Sequence, residues 1–421
     1  MTTTGSSACP YHNAVSDPTT IDAIASFRDV EEIFRSQTMA PFLHDGTEEF
    51  RAGTVRQIDG PEHRARRRVM GRLLRGQGDQ RFRSEVLMPT IQRNLQRVLQ
   101  TPSDDGVPRA DMVLFARVAF FQLAAALIGL DGVDTLDDAE ALRQASDPIQ
   151  EAMRSWYMEG DRRPVMARGN EARDEFRARY FEPALERRIK LVNAATTPEA
   201  EAALPNDLLT LMARDLDPAW TGDQGLQVRE AVTDFINAGT FSSSFTLVHS
   251  LDECLTWGEQ QPDRADLLVD EKFLAQAVAE AVRLHPIVPL FYRTATEAVT
   301  LKSGRKLAAG EHVALDIGAA NRDPDVFGPD ADAFIPGRPF PAGVSPYGVA
   351  FGAGRHMCYG MPVVIGSDGV NGSHVQVLKA LFSAGVRRDR DRPALRNDRL
   401  GRMNGLWDEY PIEFTLSGRG A

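Results

Sequence analysis

The sequence predicts a mainly α-helical protein with a small β region, and three observations carry that prediction. Apolar residues recur at helical spacing along Thr135–Ala145, Gly169–Leu191, Leu226–Leu251 and Asp270–Leu284, as in helices with one buried face. The run Met112–Leu130 (MVLFARVAFFQLAAALIGL) is apolar almost throughout, which predicts a helix enclosed by other helices. After His285-Pro286 the texture changes. IVPLFYRTATEAVTL and then GRKLAAGEHVALDIGAANRD break β-branched and aromatic runs with glycine turns, the pattern of short strands.

Taken in order, residues 1–20 are polar and lack a basic-then-apolar leader pattern. They are expected to be a flexible N-terminus before a single domain spanning 21–421, a length that buries a large core. Cys9-Pro10-Tyr11-His12 is spaced like half a metal site but has no second half, and is read as nothing more. Arg117 and Gln122 interrupt the apolar run, so it is read as a core helix and no membrane span is expected. Asn193–Asp207 is a polar connection between two helices and not a domain linker. Asn321–Pro346 is rich in Pro, Asp and Gly, so irregular backbone is expected there.

Composition narrows the function. The chain has 421 residues, is 43% hydrophobic and 25% charged, and carries a net charge of −11. Nucleic-acid binders usually carry a basic surplus, so that class is set aside. Three cysteines (Cys9, Cys254 and Cys358), odd in number and far apart, make no disulfide framework and suit a cytoplasmic protein.

Cys358 stands in Phe351–Gly360, FGAGRHMCYG. A thiolate there is a nucleophile, a zinc or iron–sulfur ligand, a haem axial ligand, or an inert thiol in a glycine turn. Zinc and iron–sulfur sites need further close Cys or His residues, which are missing. His356, two residues away, is poorly placed as a base for a nucleophile. A haem ligand needs a tight loop whose backbone N–H groups face sulfur. Gly352, Gly354 and Gly360 permit such a loop, and Phe351 would shield the sulfur from water.

FGAGRHMCYG resembles, position by position, the haem-binding loop of the cytochrome P-450 superfamily in its soluble bacterial form, F-G-x-G-x-H-x-C-x-G. Three further segments share the resemblance, which extends over most of the chain. Glu280-Ala281-Val282-Arg283 looks like that family's E-x-x-R pair. Ala333-Phe334-Ile335-Pro336-Gly337-Arg338 looks like the third arm of the same network. Asp59-Gly60-Pro61-Glu62-His63-Arg64-Ala65-Arg66-Arg67 looks like the start of a haem-flanking helix. The resemblance implies the cytochrome P-450 fold, with haem b buried between two long helices and Cys358 as thiolate ligand to iron. Phe351 and Gly360 then belong to the haem-binding loop. It also implies a network of Glu280, Arg283 and Arg338, and propionate partners His63, Arg67, Arg293 and His356. The charge argument agrees, because carboxylates in an apolar cleft need cationic partners, and arginine matches them geometrically.

Two departures from the family stand out. On the helix over the haem the family reads A/G-G-x-D/E-T, an acid beside an alcohol that deliver protons. Here Ala238 and Gly239 fit the small residues that leave room above iron, but the acid position is Phe241 and the alcohol position is Ser242. Three readings stay open. Ser242, Ser243 and water, or a polar group on the substrate, relay protons in an ordinary O2-dependent monooxygenase. Or the chemistry is peroxide-driven oxygenation, oxidative coupling, desaturation or work with another small oxidant. Or the chain is a haem-based ligand binder with little turnover. The second departure follows Cys358, where Gly366, Gly369 and Gly372 are expected to delay the next helix until about Ser373.

No dinucleotide fingerprint or iron–sulfur motif is present, so electrons are expected from a ferredoxin or similar donor. Some of Arg64, Arg66, Arg68 and Arg72 would form a basic patch to meet it, with a solvated helix face as the equal alternative, and the rebuilt loop after Cys358 counts against an ordinary ferredoxin interface. By their positions in the family, Phe241, Phe245, Val288, Leu290, Phe291, Leu406 and Trp407 line the substrate pocket. Their apolar, aromatic character implies a small-to-medium lipophilic substrate, with core packing as the alternative role for each.

Overall fold

A computed structural model describes residues 21–42, 47–74, 81–155, 158, 160–214, 220, 222–366, 371–397 and 406–415. The expectation for residues 1–20 lies outside the described residues, as does Cys9. Helices dominate. Those used below are α1 (Phe27–Arg35), α2 (Gly60–Met70), α3 (Met88–Gln100), α4 (Met112–Ile128) and α5 (Leu136–Arg154). Next, α6 runs from Arg163–Phe176 through a π-helical turn, Arg177–Phe181, into Glu182–Ala194. The longest, α7, joins Gln224–Glu230, the π-helical Ala231–Ser242 and Ser243–Gln260 with helical dihedrals at both junctions. Then come α8 (Glu271–Leu284), α9 (Met361–Ile365) and α10 (Ser373–Ser383).

Local sequence explains the ends. Asp111 caps α4 by accepting from the N–H groups of Val113 and Leu114, and the helix stops at Gly129, whose φ of +94° only glycine adopts easily. Thr135 and Asp138 form a reciprocal capping box at the start of α5. The expected connection Asn193–Asp207 holds a short helix of its own, Pro198–Ala202, started by the Thr197 cap. The expected delay after Cys358 is present: the short α9 ends at Gly366 and α10 begins at Ser373.

The main sheet has four strands in the order β1 (Ala23–Ile24), β4 (His312–Asp316), β3 (Leu290–Ala295), β2 (Met39–Pro41). β1 lies parallel to β4; β3 is antiparallel to both β4 and β2, with Arg293 opposite Val313 and Pro41. The strand texture read after His285-Pro286 supplies the two central strands, β3 and β4, while β1 and β2 come from residues before 42.

Three apolar clusters form the core, and α7 crosses two of them. Ala231, Val232, Phe235 and Ile236 lie in one cluster with residues of α5 and α6. Phe241, Phe245, Leu247 and Val248 lie in a second, with residues of α4, α8 and α10. Between the two, Asn237 and Ala238 are only partly buried and Gly239 is exposed. Among the described residues, no helix is long and apolar enough to cross a membrane.

Candidate functional site

The Cys358 loop is closed by its own backbone: the Cys358 N–H donates to the Phe351 carbonyl at 2.7 Å. Gly352 and Gly354 both have φ of +67°. A Cβ on Gly354 would stand 2.8 Å from the Phe34 carbonyl oxygen. The close approach that Gly354 allows is thus to the end of α1, not to sulfur; its neighbour is corrected from the sequence reading. Burial raises the Cys358 thiol, and the N–H groups of Gly360 and Met361, with Arg56 and Arg67 nearby, pull it back. Beyond it, Tyr359 packs on the cluster holding the first half of α7 and Val364 lies in the cluster holding the second half. The ring of Phe351 meets that of Tyr347 edge-on at 5.0 Å.

Behind the loop, Glu280, Arg283 and Arg338 come together as a buried network. Arg283 donates through Nε and Nη2 to the two carboxylate oxygens of Glu280 at 2.8 and 2.7 Å. Arg338 Nε reaches the same carboxylate at 3.0 Å. Both guanidiniums then hold irregular backbone. Arg283 Nη1 donates to the carbonyls of Asn321 and Ala331, and Arg338 to those of Phe327, Asp330 and Ala333. Asn321, which sequence reasoning missed, accepts from the Val349 N–H at 2.8 Å just before the loop. Its surroundings, rich in Pro, Asp and Gly, offered no spacing signal by which to find it.

On the opposite side, α2 begins at Asp59, whose side chain accepts from the Gly60 N–H at 2.8 Å. Arg355 grips this carboxylate through Nε at 2.7 Å and Nη2 at 2.6 Å. Burial would raise Asp59, but Arg355 and the helix N-terminus hold it below its usual value. Arg355 was also missed; in the sequence it is only the variable position of the loop motif. His63 and His356 lie with ring centroids 4.3 Å apart. Burial lowers both imidazoles, His356 to about 3, with the neighbouring cations adding to the effect. Arg67 donates to the Met357 carbonyl at 2.9 Å. Arg293 is buried, and the one hydrogen bond of its side chain among the described residues goes to the Tyr292 carbonyl.

These residues fit the group that the resemblance implies. Among the described residues, His63 Nδ1 and His356 Nε2 are buried without a hydrogen-bond partner. Burial lowers Arg293 to about 10, which leaves it charged at neutral pH. A buried charge and two orphaned ring nitrogens gathered beside the Cys358 loop are what two propionate carboxylates would satisfy.

One member of the expected basic patch is placed elsewhere. Arg66 is fully buried, not on a docking face. It donates to Glu230 at 2.9 Å, the Gly53 carbonyl at 2.6 Å and Glu62 at 2.8 Å, because its place on α2 turns it toward α7. Arg64, Arg68 and Arg72 are exposed.

Along α7 the π-helical stretch of 12 residues displaces the usual i→i−4 pairing, a distortion frequent at functional sites. Side chains answer the displaced carbonyls. Thr240 Oγ1 and Gln150 Nε2 donate to the Ile236 carbonyl at 2.7 and 2.6 Å, and Ser242 Oγ to that of Ala238 at 2.6 Å. Ser243 is buried, and its carbonyl accepts from His374 Nε2 at 2.9 Å. Phe241 packs against Phe245 in a tilted pair, with centroids 4.7 Å apart and ring planes at 58°. The other expected pocket residues spread out. Val288, Leu290 and Phe291 are partly buried at and before β3, with Phe291 against Phe34. Leu406 and Trp407 are buried in the second cluster, Trp407 against His249, Tyr410 and Arg396.

Comparison with known proteins agrees with this geometry. The crystal structure of CalO2 superposes with a TM-score of 0.71 at 23% identity, covering 97% of this chain and 94% of that one. A mutant of P450 EryK in complex with erythromycin B gives 0.66 at 20% identity, covering 95% and 92%. Indoleacetaldoxime dehydratase of Arabidopsis thaliana is 36% identical over 101 residues, 23% of this chain and 20% of that protein. Trimethyltridecatetraene synthase of Zea mays is 29% identical over 279 residues, 56% of this chain and 49% of that protein. The chain thus matches between about a fifth and a half of the length of these curated relatives. The family model for cytochrome P450 matches residues 15–364, ending where the rebuilt loop begins. The chain belongs to the cytochrome P450 family.

Proposed function

We propose that this chain is a cytoplasmic haem-thiolate monooxygenase that oxidises a small-to-medium lipophilic molecule, with haem b held through Cys358 in a single domain spanning 21–421. The observation that carries the reading is the Cys358 loop, closed on the Phe351 carbonyl and flanked by the N–H groups of Gly360 and Met361. When bound, the haem supplies the oxidising chemistry, drawn from dioxygen and two electrons. The chain's residues do the rest. Glu280, Arg283 and Arg338 hold the backbone before the loop. His63, Arg67, Arg293 and His356 take the propionates. Ala238 and Gly239 keep the helix surface low over the reacting centre.

Proton supply is the unusual part. Phe241 carries no proton, so the hydroxyl of Ser242 stands in for the acid–alcohol pair, with Ser243 beside it. That hydroxyl donates to the Ala238 carbonyl and must release this bond to pass a proton on. Electrons would enter from an acidic ferredoxin-like donor docking on the exposed Arg64, Arg68 and Arg72. The committed Ser242 hydroxyl beside Phe241 also favours a second reading, oxygenation driven by peroxide without a proton relay.

A side-by-side turnover assay tests both. Lipophilic and aromatic compounds are offered with either ferredoxin, reductase and NADH, or hydrogen peroxide, and products are read by mass spectrometry. Product with electrons supports the monooxygenase; product with peroxide alone supports the second reading. Purified protein without haem, or a pigment spectrum unchanged by Cys358→Ser, would overturn both.

A further inference from the structure

We propose that Arg154 anchors an anionic group of the substrate, and that the substrate is a lipophilic carboxylic acid whose apolar body lies along Phe241 and Phe245. This rests on the reading of the site given above and names its substrate class.

Arg154 is the last residue of α5, and α5 is pinned to the widened part of α7. Gln150, fully buried one turn earlier, donates to both the Ile236 carbonyl and Thr240 Oγ1 at 2.6 Å. One turn further on, the Arg154 guanidinium lies 3.8 Å over the centroid of the Phe241 ring. A cation therefore sits on the side chain that replaces the family's acid.

No carboxylate among the described residues is within ion-pair distance of that cation. Arg154 makes no hydrogen bond or ion pair among the described residues, and its Nη1 is closed off from solvent without a partner. Asp147 and Glu151 on the same helix favour its charge only from a distance and make their ion pairs with other arginines. Asp147 pairs with Arg117 and Arg143, Glu140 with Arg143, and Glu151 lies 3.5 Å from Arg168. Arg117, the other half-buried arginine here, is answered by Asp147 and by Gln150 Oε1 at 2.8 Å. Burial, with Arg117 nearby, lowers Arg154 to about 9, still charged at neutral pH. Arg154 is half-buried with its Nη1 closed off, and a contact with one aromatic face offsets only part of the cost of withdrawing a charge from water. A packing role would be met by an uncharged side chain of similar length. A planar carboxylate matches the fork of an arginine through paired hydrogen bonds, and the adjoining Phe241–Phe245 pair supplies an apolar surface.

The test uses the full-length, haem-loaded protein and isothermal calorimetry with two matched pairs: dodecanoate and methyl dodecanoate, and 4-phenylbutyrate and its methyl ester. Each pair shares its apolar body and differs in charge. The acids are expected to bind at least tenfold more tightly than the esters. Arg154→Met should weaken acid binding by about ten- to a hundredfold, the range for a hydrogen bond to a charged group, and leave ester binding within about twofold. Arg154→Lys should keep part of the preference, and it decides the matter if the Met variant fails to hold haem. Equal binding of acids and esters, no acid binding at millimolar concentration, or a preference that survives Arg154→Met would overturn the proposal. Failure of the haem-thiolate reading looks different: the protein would carry no Cys358-dependent pigment at all.

Discussion

Glu280→Gln tests whether the buried network behind the Cys358 loop holds the structure together. Glu280 is 1% exposed. Its Oε1 accepts from Arg283 Nη2 at 2.7 Å, Arg338 Nε at 3.0 Å and the Ile335 N–H at 3.2 Å, and its Oε2 accepts from Arg283 Nε at 2.8 Å. Glutamine keeps the first oxygen, but it turns the second into a donor facing a donor and removes the one negative charge between two guanidiniums. Arg338 retains Asp330 at 2.5 Å, whereas Arg283 keeps only backbone carbonyls. Removing one partner of a buried pair costs about 3–5 kcal/mol, and the surviving acceptor puts this variant near 3 kcal/mol. Unfolding entropy near 2.1 cal/mol/K per residue amounts to about 0.9 kcal/mol/K for 421 residues. The expected fall in Tm is therefore about 3 °C, read by circular dichroism on protein of matched haem content. Because the same network positions the backbone before Cys358, haem should also be lost faster to an apo-globin acceptor. A Tm within 1 °C of wild type, with unchanged haem loss, would refute the claim that this carboxylate organises the loop.

Two further outcomes follow from the same geometry. Gly354→Ala should destabilise the protein by about 1–3 kcal/mol, because φ is +67° and the new Cβ would meet the Phe34 carbonyl at 2.8 Å; urea unfolding checks it, and Gly222→Ala, at φ +76° with nothing near its Cβ, controls for backbone strain alone. Burial and the neighbouring Asp234 raise Glu230 well above the usual carboxylate range, so the folded state holds a proton that the unfolded state has lost. Stability contributed by this group is present below the unfolded value near 4.5 and falls as pH rises from there toward the raised folded value. Glu230→Gln should flatten the decline of Tm with pH above 4.5, and an unchanged slope would count against a protonated Glu230.

Much of the site was legible because its chemistry is local in sequence. Cys358 with its glycines, the Glu280–Arg283 pair one helical turn apart, and His63 with Arg67 one turn apart announce themselves by spacing that a loop or helix converts directly into proximity. Helix periodicity and the strand texture after His285-Pro286 were legible for the same reason, since a 3.6- or 2-residue repeat is a property of the chain itself. Arg66 was misread because the single-residue difference that turns a side chain from solvent toward Glu230 depends on where α7 lies, and charge density alone reads a crowded run of arginines as a surface.

What the sequence by itself determined about this protein is the family, and it singled out Cys358 as the candidate thiolate and Phe241 at the position where the family carries an acid, because each is a residue identity within a short, spaced motif. Only the tertiary structure decided that Arg355 grips Asp59 across 296 positions, that Asn321 ties the network to the backbone before the loop, and that Arg154 rests on Phe241 with no ion pair among the described residues. Those contacts join segments far apart in the chain, and no periodicity records them. They exist because the packing of α2, α5 and α7 leaves particular polar atoms facing one another inside the protein, where each must find a partner or wait for one.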